Sequence, residues 1–288
     1  MTAPCPLCGA GSRILYALPN GEILRCTGCR VVFRGNLISG GAATDLYEDE
    51  SYLETPYFDA LKVASRRDVE PWLVYRRVLD RLEALAPENR SLLDVGSSYG
   101  AFLELARELG WAVTGVELAH KPAAYAAQER ALDVFTGTLA EAAYPDDTFD
   151  AVTLWDVIEH LDDPLSTLRE IRRILRPGGM LMLFTINQRS LINRVGHVLH
   201  RASFGTLKRP LVLLYDIHHN FFFDRVTLGG LLGLAGFGPP IAEDHLAANI
   251  DRWQNVPIPP LLALGTRCLD AAATVMGEPY RMILYVQK

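Results

Sequence analysis

Leu92-Leu93-Asp94-Val95-Gly96-Ser97-Ser98-Tyr99-Gly100-Ala101-Phe102-Leu103 reads as an apolar strand that enters a glycine-bounded turn and leaves it as an amphipathic helix. A second short apolar strand, Ala112-Val113-Thr114-Gly115-Val116-Glu117, ends in a carboxylate 21 residues beyond Gly96. On a βαβ unit, that spacing suits an acid that grips a ribose diol. Outward from this unit, strands and helices alternate. Strands are expected at Leu92–Val95, Val113–Glu117, Asp133–Phe135, Phe149–Trp155 and Met180–Thr185, with helices at Ala101–Leu109, Pro122–Arg130 and from Pro164 to the stop at Pro177-Gly178-Gly179. Such alternation specifies an α/β fold with a mostly parallel sheet.

The turn is Gly-x-x-x-Gly and not the Gly-x-Gly-x-x-Gly of dinucleotide sites, where the backbone must approach a pyrophosphate closely over a helix N-terminus. S-adenosylmethionine carries no phosphate and needs room for an amino-acid tail, so the departure favours it. A glycine-bearing turn by itself can also be simple connection chemistry.

Further along, Pro145-Asp146-Asp147-Thr148-Phe149-Asp150, Asp156-Val157-Ile158-Glu159-His160-Leu161 and Leu175-Arg176-Pro177-Gly178-Gly179-Met180-Leu181 follow in order. With these, the chain from Ser91 to about Asn187 resembles the class I S-adenosylmethionine-dependent methyltransferases. The resemblance implies a Rossmann-like core whose final strand, in Arg281–Val286, runs antiparallel to the rest. It also implies a cofactor site of Asp94, Gly96, Ser97, Ser98, Tyr99, Gly100, Glu117, Leu118, Thr138, Leu139 and Trp155. Ser98 replaces the usual middle glycine. Thr138 stands where an acid often meets the adenine amino group, leaving that contact to the N–H of Leu139.

Four of the five cysteines form Cys5-x-x-Cys8 and Cys26-x-x-Cys29, the paired knuckles of a zinc ribbon. Four thiolates close a tetrahedral shell, so a structural zinc that folds the module is expected, and disulfides are the alternative. Cys268, in an apolar helical stretch, is expected to be a small core residue. The boundaries that follow are a ribbon over residues 1–38, a linker and helical lid over 39–87, and the cofactor-binding domain over 88–288. In the lid, Trp72, Tyr75, Val78, Leu79 and Leu82 form an inward stripe, and Tyr47, Tyr52 and Tyr57 are candidates to cover the cofactor.

The chain has 288 residues, 49% hydrophobic and 22% charged, with a net charge of −6. This allows a sizeable core and makes a nucleic-acid partner unlikely. No apolar run reaches membrane-spanning length and no signal peptide precedes Cys5, so a cytoplasmic location is expected.

Two histidines compete to take a proton from the acceptor. His160 matches a histidine common in similar enzymes, and His219, in His218-His219-Asn220-Phe221-Phe222-Phe223-Asp224, resembles their His-x-aromatic-aromatic-Phe segment. His219 is favoured, and Asp224 is read as the N-cap of a helix over Thr227–Ala235. An insertion at 188–217 is locally basic, with Arg189, Arg194, Arg201, Lys208 and Arg209. As a helix it places Arg194, His197 and Arg201 on one face and Ile192, Val195 and Leu199 on another. Its charge suits an anionic small-molecule acceptor or a peripheral membrane contact. The expected function is methyl transfer from S-adenosylmethionine to a small molecule, such as a sugar or specialised metabolite. The alternatives are an RNA methyltransferase whose ribbon clamps RNA through Arg13, Arg25, Arg30 and Arg34, and a noncatalytic scaffold of the same fold. No motif specifies an oxygen, nitrogen or carbon acceptor, or an oligomeric state.

Overall fold

The computed structural model describes residues 3–39, 70–85, 90–246, 265, 268–269, 271–273 and 275–288. The lid tyrosines Tyr47, Tyr52 and Tyr57 lie outside them. The N-terminal strands β1 (Ser12–Leu18), β2 (Gly21–Cys26) and β3 (Val32–Arg34) form an antiparallel meander. Helix α1 (Glu70–Leu85) follows, and its stripe is buried as its spacing requires, with Trp72, Tyr75, Val78, Leu79 and Leu82 packed against Phe102, Leu103 and Tyr285.

The core then runs β4 (Ser91–Val95), α2 (Ala101–Glu108), β5 (Ala112–Glu117), α3 (His120–Arg130), β6 (Val134–Thr136), α4 (Leu139–Ala142), β7 (Phe149–Trp155), α5 (Pro164–Ile174) and β8 (Leu175–Ile186). After it come α6 (Leu191–Ala202), α7 (Arg209–Leu214), β9 (Phe221–Phe222), α8 (Arg225–Leu234), β10 (Ala242–Leu246) and β11 (Arg281–Gln287). The main sheet has the order β10-β11-β8-β7-β4-β5-β6, and β11 alone runs against the others. This is the expected Rossmann-like core with one reversed strand. Because β4 lies between β5 and β7, the chain changes direction of travel across the sheet at β4, and at such a point α/β sheets generally take their ligands beyond the carboxyl ends of the strands.

Several boundaries differ from the expected ones for local reasons. Strand β8 starts at Leu175, which pairs with Phe149 before the register shifts to Ala151 opposite Met180. Pro177-Gly178-Gly179 is therefore a bulged strand entry and not a helix stop. Gly179 sits so close to the carbonyls of Arg176 and Asp150 that a Cβ would lie 2.9 and 3.1 Å from them. Helix α8 begins at Arg225, capped reciprocally by Asp224 and Thr227, so the N-cap reading of Asp224 holds. Strand β10 has no alternating apolar pattern in Ala242-Glu243-Asp244-His245-Leu246, as befits an edge strand that must discourage further pairing.

The insertion is helical, but its faces are not those the periodicity suggests. Ile192, Asn193 and Gly196 are buried, while Val198 and Leu199 are exposed. Gly196 lets α7 approach, since a Cβ there would meet Leu214 Cδ1 at 2.5 Å. His197 turns away from Arg194 and Arg201 toward the Tyr16 and Tyr215 rings, its Nε2 3.1 Å from the Tyr215 hydroxyl. Burial pushes its pKa down to about 4, helped by the positive charges of Arg201 and Arg25. Arg194 instead pairs with Glu278 at 2.8 Å. Cys268 is exposed, contrary to the core assignment. Among the described residues, no helix is long and apolar enough to cross a membrane.

Candidate functional site

The glycine turn after β4 is built from left-handed residues, with φ of +76° at Gly96, +49° at Ser98 and +78° at Gly100. A Cβ on Gly96 would lie 2.5 Å from Val157 Cγ2, and one on Gly100 would lie 2.4 Å from Leu132 Cδ1. The turn therefore needs glycine at both ends, and it packs directly on the loop that follows β7. We expect Gly96→Ala to lower stability in chemical denaturation by about 1–3 kcal/mol, because left-handed strain and a steric clash act at one position.

Glu117, at the end of β5, holds the same turn from the other side. Its Oε2 accepts the N–H of Ser98 at 2.7 Å and its Oε1 accepts that of Ala119 at 2.9 Å. The hydroxyls of Ser97 and Ser98 and the indole N–H of Trp155 are buried with no hydrogen-bond partner among the described residues. Buried polar atoms are rarely left in this way. The Ser97 hydroxyl lies against Gly115 of β5, where a Cβ would come within 2.7 Å of it, so serine and glycine are fitted to each other beneath the turn.

The other residues expected there take varied positions. Asp94 is buried beneath the turn and accepts the Thr153 hydroxyl at 2.6 Å. Burial pushes its pKa up to about 8, the charge of Glu117 adding to the effect. Tyr99 stacks edge-on against Tyr125, and Leu118 is half-buried beside Glu117. Thr138 caps α4 in a capping box with Glu141, so its polar atoms serve the helix terminus. Leu139 is the buried first residue of that helix. Trp155 stands among Tyr75, Phe102 and Phe184, with ring centroids 4.8 to 5.3 Å away, which brings α1 over this end of the sheet.

His160 and His219, far apart in sequence, meet edge to face with ring centroids 4.7 Å apart. His219 is 2% exposed and His160 half-buried. The Nδ1–H of His160 donates to the His218 carbonyl at 2.9 Å, because a carbonyl can only accept; in the neutral ring the lone pair is then on Nε2. Glu159 lies beside them, fully buried, with neither carboxylate oxygen in a well-formed hydrogen bond among the described residues. Burial pushes its pKa up to about 8, reinforced by Asp156 and opposed by the hydrogen-bonding pull of its own N–H and the Thr185 hydroxyl and by Arg281.

The ribbon braces this cluster. Strand β3 pairs with β9, immediately after His219-Asn220, so one four-stranded sheet joins the two segments. Arg34 is 6% exposed; its guanidinium donates to the carbonyls of Asn20, Asp216 and His219 at 2.7, 2.7 and 3.3 Å. It is therefore no part of a basic ribbon surface. Asn220 accepts the N–H of Ile38 and donates to the carbonyls of Ile38, His160 and Leu161. Glu159, Arg34 and Asn220 are the residues that sequence reasoning did not place in the site. The one local cue was a charged residue closing the apolar Val31-Val32-Phe33 run.

The four ribbon cysteines converge, all sulfurs lying within 4.8 Å of one another. Cys5 and Cys29 are 3.6 Å apart and Cys8 and Cys26 3.4 Å apart, and every cysteine is a free thiol. A tetrahedral zinc with bonds of about 2.3 Å spaces its sulfurs by roughly 3.8 Å. The N–H groups of Gly28 and Cys29 both donate to Cys26 Sγ, as they would to a thiolate. The donor set and its spacing fit zinc.

Comparisons with known proteins bear on the family and the fold. A family model described as a methyltransferase domain matches residues 66–238. A ubiquinone biosynthesis O-methyltransferase of Caulobacter vibrioides is 38% identical over 115 residues, covering 36% of this chain and 44% of the relative. The chain spans about half the length of the curated relatives it matches. A methyltransferase structure from Archaeoglobus fulgidus superposes with a TM-score of 0.51 at 18% identity, covering 81% of this chain and 100% of that one. A geranyl diphosphate methyltransferase with bound GPP and sinefungin gives 0.54 at 17% identity, with 83% and 85% covered. At such identities the structures share a fold with this chain.

Proposed function

The chain belongs to the methyltransferase-domain family, and from that premise we propose that it transfers a methyl group from S-adenosylmethionine to a hydroxyl of a small-molecule acceptor. The observation that carries the reading is Glu117 holding a glycine turn whose two serine hydroxyls lack partners among the described residues. When bound, the cofactor supplies an electrophilic methyl on a positively charged sulfur. In this reading the residues around it align, shield and deprotonate. Glu117 and the turn fix the adenosyl end, while Trp155 with Tyr75 and Phe102 keeps water from the sulfur, where desolvation favours an in-line displacement that removes charge. His219, with His160, receives the acceptor's proton, and the curated O-methyltransferase relatives favour oxygen as the acceptor atom. The ribbon takes a structural zinc, in keeping with the reduced thiols of a cytoplasmic enzyme. The exposed Arg201, Lys208 and Arg209 of the insertion suit an anionic acceptor.

Calorimetry with S-adenosylmethionine tests the reading. Glu117→Ala is expected to weaken binding about 100-fold, since two charge-assisted hydrogen bonds to a diol are each worth roughly 1.5 kcal/mol or more. Absence of binding by the unmodified protein would overturn the proposal.

A further inference from the structure

Glu159, His160 and His219 each offer one ligand atom, and the three atoms lie within 4.8 Å of one another. We propose that this cluster is a second metal site, for a divalent cation of the zinc or cobalt type, distinct from the ribbon and placed on the acceptor side of the cofactor turn. Three observations carry it. Glu159 is 0% exposed, and neither oxygen has a well-formed hydrogen-bond partner among the described residues, the Thr185 hydroxyl and its own N–H being the hydrogen-bonding groups that act on it, so the carboxyl keeps capacity for a further ligand. His160 donates Nδ1–H to a backbone carbonyl, which is how proteins fix the tautomer and aim the lone pair of a metal-ligating imidazole.

The backbone is also locked around the ligands. Asn220 and Phe221 donate their N–H groups to the Glu159 carbonyl, and the Asn220 side chain bridges to His160 and Leu161. Two imidazoles and one carboxylate form a mixed nitrogen and oxygen set that suits zinc and its neighbours and leaves open positions, unlike the four sulfurs of the ribbon. His160, half-buried, marks the side from which an acceptor enters. The loop carrying Glu159 and His160 packs on Gly96 through Val157, so the site adjoins the cofactor turn.

This inference rests on the methyl-transfer reading for its role: an acceptor oxygen held by the cation loses its proton to solvent more readily. The oxygen–carbon bond then forms as the sulfur–carbon bond breaks, leaving a neutral thioether. The binding claim itself is independent of that role.

The test adds cobalt(II) to the full chain with its ribbon already filled with zinc and with no S-adenosylmethionine present. One equivalent is expected to bind with weak ligand-field absorption and without the intense band of a cobalt–thiolate bond. Glu159→Gln, nearly isosteric, is expected to weaken that binding 10- to 100-fold while the ribbon keeps its zinc. Should the variant fail to fold, the imidazole nitrogen resonances of His160 and His219 in the unmodified protein give the answer, since cobalt must broaden or shift both. No binding, a thiolate band alone, or equal affinity in the folded variant overturns the site. S-adenosylmethionine calorimetry on the same sample tells this failure apart from failure of the methyl-transfer reading.

Discussion

His219→Gln is expected to lower kcat by about 10²- to 10⁴-fold, the range for removal of a positioned proton acceptor. Affinity for S-adenosylmethionine should stay within about twofold, because the residues proposed to grip the cofactor, Glu117 and the glycine turn, stand on β4 and β5, and His219 is on neither. Glutamine preserves size and hydrogen bonding but has no lone pair that titrates near neutral pH. The main-chain carbonyl of residue 219 still accepts from Arg34, so the loop keeps its brace. Initial rates with an isotopically labelled methyl group, read beside calorimetry and thermal unfolding, provide the check. A folded variant retaining more than about a tenth of kcat removes His219 from the chemistry. Taking the proton directly and ligating a cation both need this imidazole, but they differ in what controls the rate. The first is indifferent to added metal, whereas the second makes the rate follow cobalt or zinc concentration at fixed pH.

The parallel core was legible in the sequence because its strands are short apolar runs bounded by strong punctuation. Gly96 and Gly100 could not be otherwise without collision, Gly110 ends α2 at φ +87°, and Asp163 with Pro164 announces α5. The long-range part was not legible, for a physical reason. Strand β9 is two residues long, and what makes Phe221-Phe222 a strand is the partner offered by Val32 and Phe33, nearly 190 residues earlier. Arg34 likewise looks like an ordinary surface charge until the carbonyls of Asp216 and His219 arrive to accept its N–H groups. Helix α6 misled in the same way: periodicity finds an apolar face, but tertiary contacts from Tyr16 and Leu214 decided which side was buried. The glycine turn with Glu117 depends mostly on local turn chemistry, and the histidine cluster on segments brought together by folding. Hence the first could be read and the second only suspected from two histidines.

Cys26→Ser carries this dependence to a measurable end. Cys26 is 2% exposed and its sulfur accepts two backbone N–H groups, so its loss opens the ribbon's thiolate set from within. A structural zinc contributes on the order of 10 kcal/mol to folding of its module, and a three-sulfur site forfeits a large part of that. The ribbon does not fail alone. Leu24, Val31 and Phe33 share one core with Phe221, Phe223 and Ile158, and β3 supplies the hydrogen bonds of β9. Without them the His218-His219-Asn220 segment loses its strand partner and the three-carbonyl grip of Arg34 together. A displacement of about 1 Å at a reacting group costs on the order of 100-fold in rate. The variant should therefore lose at least that much kcat and the zinc proposed for the four cysteines, measured by metal analysis, and melt at lower temperature. Binding of S-adenosylmethionine should survive, because Glu117 and the glycine turn stand on β4 and β5, which the ribbon sheet does not pair with. Arg34→Ala, which keeps all four cysteines, should reproduce the loss of kcat with zinc retained. Normal turnover in a zinc-retaining Arg34→Ala protein would mean that the ribbon stabilises the molecule without positioning His219.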